Sequence, residues 1–239
     1  MKGIFWNSRG LSDLAKTRFL RETSIEQDLA FIALLETGKQ DFSQGPLNNF
    51  SGGKHFVWHW TTPRGRSGGI LLGVNIDLLD VGSIEDGDFL VKFSVRDRRS
   101  DFKWVLVAVY GAAQSEFKES FLTELVQAYS GESLRWGFNI IQNSSEKNND
   151  RFEKRWPFLF NAVIDSLDLR EIEMSGHKFT CANSRRVPTY ERLDGVLVSK
   201  GWEQKCPLAT VEALNREISD HTHLLLSVGK NQGQETTTL

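Results

Sequence analysis

Leu29-Ala30-Phe31-Ile32-Ala33-Leu34-Leu35-Glu36 is the stretch that decides the fold class. Seven apolar residues run without a polar break and stop on an acid. Polar–apolar alternation would mark a strand wet on one face; its absence over so short a run marks a strand covered on both faces. Such a strand needs a layer of structure on either side. Upstream, Gly3 to Trp6 reads as a first strand that runs into Asn7. Between the two, Leu11 to Glu22 has helical spacing, with Ser12 as N-cap and Leu11, Leu14, Ala15, Arg18 and Phe19 near one face. The chain therefore opens strand, helix, strand.

Downstream the same alternation of elements continues. Phe56 to Thr61 alternates toward a strand, and the turn Pro63-Arg64-Gly65-Arg66-Ser67-Gly68-Gly69 leads into the strand Ile70 to Val74. Leu90 to Arg96 and Lys103 to Tyr110 read as antiparallel strands joined by the charged turn Asp97 to Asp101. The spacing predicts an amphipathic helix over Ser115–Tyr129, capped by Ser115, with Phe117, Phe121, Leu122, Leu125 and Val126 inward. A second is expected over Phe152–Ser166, with Pro157 tolerable only in its first turn. Leu193 to Val198 and Leu224 to Val228 are further strands. Sheets inside and helices outside give an α/β sandwich. Residues 1–229 read as one domain, and the polar, Thr-ended stretch 230–239 as a disordered tail.

Composition narrows the classes. Hydrophobic residues at 39% and charged residues at 25% are an ordinary globular balance, enough for a core in 239 residues. A net charge of −2 gives no excess of positive charge to hold nucleic acid passively. Basic clusters such as Arg64 with Arg66, Arg96 with Arg98 and Arg99, Lys147 with Arg151, Lys154 and Arg155, and Arg185 with Arg186 and Arg192, read first as solvated faces. Cys181 and Cys206 lack a metal-type spacing, which disfavours a disulfide framework or a cysteine zinc site and favours a reducing, intracellular compartment. Met1 to Asn7 reaches a polar residue too soon for a signal peptide, and no apolar run approaches membrane-spanning length.

The polar residues at the strand ends are the remaining signal: Asn7, Glu36, Tyr110, Asn139 and Asp194, then Asp220 and His221 just ahead of the last strand. A carboxylate at the end of a buried strand needs water or a cation as partner. Asp offers a hard oxygen ligand, and His changes charge near neutral pH. Ser219-Asp220-His221 alone is a common polar loop; the ordered set is what carries weight.

That set resembles the endonuclease/exonuclease/phosphatase superfamily, and most of all the apurinic-type endonuclease domain of plant non-LTR (LINE-type) retrotransposons. The resemblance rests on Trp6-Asn7-Ser8-Arg9-Gly10-Leu11, Ala33 to Thr37, Arg66 to Ile70, Val109-Tyr110-Gly111, Phe138-Asn139-Ile140-Ile141, Arg192 to Leu197 and Ser219-Asp220-His221. It implies a four-layer α/β sandwich of the DNase-like kind, with two mostly antiparallel sheets face to face. It also implies Mg²⁺ or Mn²⁺ and hydrolysis of phosphodiesters, with DNA as substrate, nicked to expose a 3′-hydroxyl for reverse transcription. Nuclear action and a monomer are the corresponding expectations. Carried over residue by residue, the metal ligands would be Glu36, Asn7 and Asp220. Asn7, Asn139 and His221 would bind phosphate, and His221, Asp194, Tyr110 and Asn139 would form the catalytic set, with Asp194 fixing the His221 ring and favouring its protonated form.

The chain departs from the family pattern at one telling place. An acid is expected directly before Phe138, where the sequence has Gly137. The segment before it is shorter than in the family, which reads as a small deletion removing part of a central strand and the acid together. Loss of one acid–base group costs about 10²- to 10⁴-fold in rate. Arg9 stands where apurinic repair enzymes carry an acid, and Gly195 replaces a larger residue. No reverse-transcriptase region follows residue 239, so a truncated element copy is expected. Three readings remain: a weakened metal-dependent DNA endonuclease, a folded but catalytically dead remnant that at most binds nucleic acid, or a phosphomonoesterase or phospholipid phosphodiesterase on the same scaffold.

Overall fold

Alternate residues of the long strands face opposite layers, which sorts the chain into a stack. The computed structural model describes residues 1–64, 67–112, 114–128, 134–149, 152–183, 188–215 and 218–229. In chain order the first half holds β1 (Lys2–Asn7), α1 (Leu14–Glu26), β2 (Leu29–Leu35), α2 (Gln44–Phe50), β3 (Phe56–Arg64), β4 (Ser67–Asn75), β5 (Leu79–Asp86), β6 (Leu90–Asp97) and β7 (Lys103–Val109). The second half holds α3 (Lys118–Ala128), β8 (Leu134–Asn139), α4 (Arg155–Ser166), β9 (Leu169–Glu171), β10 (Met174–Ser175), β11 (Cys181–Ala182), β12 (Tyr190–Glu191), β13 (Asp194–Ser199), α5 (Lys200–Lys205), β14 (Ala209–Ala213) and β15 (Leu224–Val228).

Two mixed sheets form. One has seven strands in the order β10-β14-β15-β1-β2-β4-β3; the other has six, β5-β6-β7-β8-β13-β9. All seven residues of β2 are buried, as the unbroken apolar run required. Phe31, Ala33 and Leu35 point one way and meet Leu106 and Ala108 of β7 and Val196 and Val198 of β13 between the sheets. Ile32 and Leu34 point the other way, onto Leu20 of α1 and Leu47 and Phe50 of α2. On the second sheet Val105, Val107 and Leu197 turn outward to Phe121 and Leu125 of α3 and Phe160 and Ile164 of α4. Helix, sheet, sheet, helix is the four-layer arrangement expected. Burying each such Phe, Leu or Ile contributes about 1.5–3 kcal/mol. Among the described residues no helix is long and apolar enough to cross a membrane.

Topology gathers particular strand ends. β1 and β2 are parallel, and β15 is antiparallel to β1, so the ends of β1 and β2 and the lead-in to β15 share one edge. In the second sheet β7 and β8 are parallel and β13 is antiparallel to β8, so Tyr110, Asn139 and Asp194 share an edge as well.

Some boundaries differ from expectation. The first helix starts at Leu14, not Leu11, because Asp13 rather than Ser12 caps it, its carboxylate accepting from Ala15 N–H at 2.8 Å. Leu11 is buried as part of the preceding loop, while Leu14 is 84% exposed. The third helix begins only at Lys118, after a short 3₁₀ turn over Ser115–Phe117, and Phe117 and Val126 face solvent. The fourth begins at Arg155, with Pro157 in its first turn. The central strand thought to be cut short is present: β8 pairs with β7 on one side and β13 on the other. The tail 230–239, Tyr129 and Arg66 lie outside the described residues.

Candidate active site

Asn7 and Glu36 end neighbouring parallel strands and meet at once. The Asn7 amide donates from Nδ2 to Glu36 Oε1 at 2.9 Å, and its Oδ1 accepts from Arg9 N–H at 3.2 Å. The backbone between them is knitted together: Ser8 N–H donates to Leu35 O at 2.8 Å, and Gly10 N–H to Glu36 O at 2.6 Å. Arg9 and Glu36 both adopt left-handed backbone, with φ of 43° and 50°. Non-glycine residues hold that conformation at a cost, and such strain collects at sites. Arg9 reaches the lead-in to β15, and Glu36 stays with Asn7 and Arg9. Arg9 Nη1 lies 2.8 Å from Asp220 Oδ2, and its Nε lies 3.7 Å from Glu36 Oε2.

The second cluster is buried. His221 Nδ1 lies 2.8 Å from Asp194 Oδ2, His221 is wholly inaccessible, and Asp194 is 6% exposed. Thr180 fixes the acid's backbone, its Oγ1 accepting from both Leu193 N–H and Asp194 N–H at 3.0 Å, while Thr222 N–H donates to Thr180 O at 2.7 Å. Burial works against a charged imidazole. The charge and hydrogen bond of Asp194, helped by Cys181, outweigh it and raise His221 to about 10. The ring is therefore protonated at neutral pH: Nδ1–H serves Asp194, and Nε2–H, with only the weak acceptor Cys181 to help hold the charge, makes no hydrogen bond of good geometry among the described residues. An unmatched buried donor costs about 1–3 kcal/mol. A substrate oxygen is the kind of acceptor that would relieve it.

A cavity of about 520 Å³ brings the clusters together; Asn7, Arg9, Glu36, Tyr110 and His221 all line it. Asp194 stands behind His221, and Asp220 stands beside Arg9, so neither lines the cavity itself. Asn139 pairs through its backbone with Asp194, but its side chain lies outside what is described. The far wall carries Lys118, Lys147, Phe152 and Trp156, with the Lys118 ammonium 5.3 Å from the Trp156 ring centre.

No protein-family model and no curated protein sequence matches the chain. Solved structures do. The endonuclease domain of TRAS1, a telomere-specific non-LTR retrotransposon, superposes with a TM-score of 0.71 at 15% identity, over 97% of this chain and 99% of that one. The 3′ phosphatase NExo from Neisseria, bound to a product DNA hairpin, gives 0.74 at 16% identity, over 96% and 100%. An AP endonuclease from Archaeoglobus fulgidus gives 0.69 at 12% identity, over 95% and 99%. The fold is that of the endonuclease/exonuclease/phosphatase superfamily.

The divalent cation that the sequence resemblance implies would meet donors of a suitable kind here. Glu36 and Asp220 supply carboxylate oxygens, and Asn7 an amide oxygen. Mg²⁺ is typically held by one or two carboxylates with water completing its shell. Among the described residues no group of three or more His, Cys, Asp or Glu side chains is placed to hold a metal ion.

Gly137 occupies the position where a superfamily acid was expected, and its surroundings explain what became of that space. A Cβ built there would fall 2.1 Å from Cδ1 of Phe5 and 2.7 Å from its Cγ. The Phe5 ring, reaching across from β1, fills the place of a side chain. Two other features had no sequence signal: Thr180 as the anchor of Asp194, and the reach of Arg9 to Asp220.

Proposed function

We propose that the chain is a divalent-cation-dependent phosphodiester hydrolase acting on DNA, slowed by glycine at position 137. The observation that carries this reading is the charged, buried His221, held by Asp194, with its Nε2–H unmatched beside the cavity that Asn7 and Glu36 also line. A phosphodiester passing through a five-coordinate state gathers charge on its non-bridging oxygens. His221 Nε2–H donates to one of them, and Tyr110 and Asn7 are near enough in the same cavity to orient the phosphate. Donors fixed in advance cost no reorganisation as charge builds. Glu36, Asp220 and Asn7 would hold a divalent ion, which would neutralise charge and lower the pKa of bound water. Lys118 and Lys147, paired with Glu153 and Glu191 of the same lining, add with Trp156 a charged and aromatic wall against which a nucleotide strand could lie.

The test is nicking of supercoiled DNA with Mg²⁺ or Mn²⁺. Wild type nicks slowly, Glu36→Ala abolishes nicking, and inositol phosphates and phospholipids are not hydrolysed. Nicking that survives Glu36→Ala overturns the assignment. One observation favours a second reading, a folded relative that binds DNA without cutting it: the space for an acid–base side chain at residue 137 is taken by Phe5. DNA binding with no nicking at any ion concentration would establish that reading instead.

A further inference from the structure

We propose that Arg9 is a built-in competitor for the divalent ion, its guanidinium claiming the same carboxylate oxygens the ion would use. The inference rests on the metal site of the proposed function. Glu36 has two oxygens. Oε1 already accepts from Asn7 Nδ2, so Oε2 is the one left for a cation, and Arg9 Nε faces it at 3.7 Å. Asp220 also has two. Oδ1 is the weak partner of the Ser219 hydroxyl at 3.5 Å, and Oδ2 holds Arg9 Nη1 at 2.8 Å. The two oxygens best placed for a hard cation are therefore the two that one guanidinium addresses.

The placement of Arg9 is not that of a free surface side chain. Its N–H is bound to Asn7 Oδ1, its φ is 43°, and Gly10 after it is bound to Glu36 O. These contacts aim the side chain back over the strand ends. A planar guanidinium spans two acceptors where an ammonium addresses one point. At 45% exposure the side chain is also free to leave, since the cavity it lines opens to solvent. Arg9 and a divalent ion repel each other and share acceptors, so each weakens the other's hold.

The test is Mn²⁺ binding to the whole chain, read by water-proton relaxation, for wild type, Arg9→Gln, Arg9→Lys and Glu36→Gln. Arg9→Gln is expected to bind Mn²⁺ on the order of tenfold more tightly than wild type, with Arg9→Lys between them. That gap narrows as salt rises, because a competing charge is screened and a purely structural role is not. Equal or weaker binding in Arg9→Gln, while Glu36→Gln still lowers binding, overturns the inference alone. No binding in any variant, or binding indifferent to Glu36→Gln, overturns the ion site itself and the inference with it.

Discussion

Restoring an acid at residue 137 is the obvious repair, and the structure says it fails when made alone. In Gly137→Asp the new Cβ arrives 2.1 Å from Phe5 Cδ1 and 2.6 Å from Cε1. Ordinary contact needs about 3.4 Å or more, so the ring must withdraw by roughly 1 Å in a core packed to crystal-like density. It has little room. Phe5 is 4% exposed and packs edge-on to Phe31, with ring centres 5.1 Å apart. Overpacking of this kind costs about 1–3 kcal/mol, and an unpaired carboxyl in the inter-sheet layer adds about 1–3 kcal/mol more. Phe5→Ala alone opens a cavity at a cost of about 3–5 kcal/mol. Together the two changes relieve one another, because the aspartate enters the space the ring leaves.

The quantity to measure is the coupling between them, from urea unfolding of the four proteins of the cycle followed by tryptophan fluorescence. Residues in direct contact couple by about 0.5–3 kcal/mol, whereas independent sites add to within about 0.5 kcal/mol. We expect Phe5→Ala/Gly137→Asp to be more stable than the sum of its parts by at least about 1 kcal/mol. Nicking should rise only in the double variant, by up to the 10²- to 10⁴-fold attributed to one acid–base group. Additive stabilities, or full activity in Gly137→Asp alone, would refute the claim that Phe5 occupies the acid's place.

Two further predictions concern the buried histidines. Asp194→Asn removes the charge that opposes burial at His221, so the imidazole, protonated up to about 10 in the wild type, becomes neutral near pH 7; imidazole NMR titration reads this directly, and nicking at pH 7 falls about 10²-fold or more. In the wild type that raised value makes a stability contribution that is whole below pH 6.5 and disappears as pH climbs through about 10. His223 behaves oppositely. Burial, with Lys16 adding and the Asn215 backbone opposing, pushes it down to about 3. The unfolded chain takes up a proton near pH 6.5 that the folded chain refuses, so stability falls with pH from there toward 3, by about 1.4 kcal/mol per pH unit. His223→Phe, between the rings of Trp6 and Phe19, should lose that slope; urea midpoints at pH 6.5 and 5 that shift as much as in wild type would contradict it.

What could be read from the chain was whatever local pattern controls. Leu29 to Leu35 has no polar face, so a strand buried on both sides was the only economical reading, and β2 is that strand. The candidate residues were visible for a related reason: Asn7, Glu36 and Tyr110 each directly follow an apolar run, and Asp220 and His221 stand just ahead of the last one. Helix starts were less legible because Ser12 and Asp13 are both competent caps, and only the packing of Leu11 into the core decides between them. Phe5 lies far from Gly137 in sequence, and Arg9 farther still from Asp220, so no spacing rule relates them. Both are consequences of how the sheets stack.

That stacking also explains why two departures from the superfamily pattern have different characters. Arg9 follows the end of β1 at the sheet edge, where a side chain reaches solvent and a charge can move. Gly137 sits within β8, paired on both sides and facing the closed layer between the sheets. On the proposal above, a change at the edge would alter which cation sits on Glu36 and Asp220 without disturbing the core. A change in the layer must be answered by another side chain, and Phe5 is that answer. The first should answer to ionic conditions; the second is built into the packing and should yield only to paired substitution.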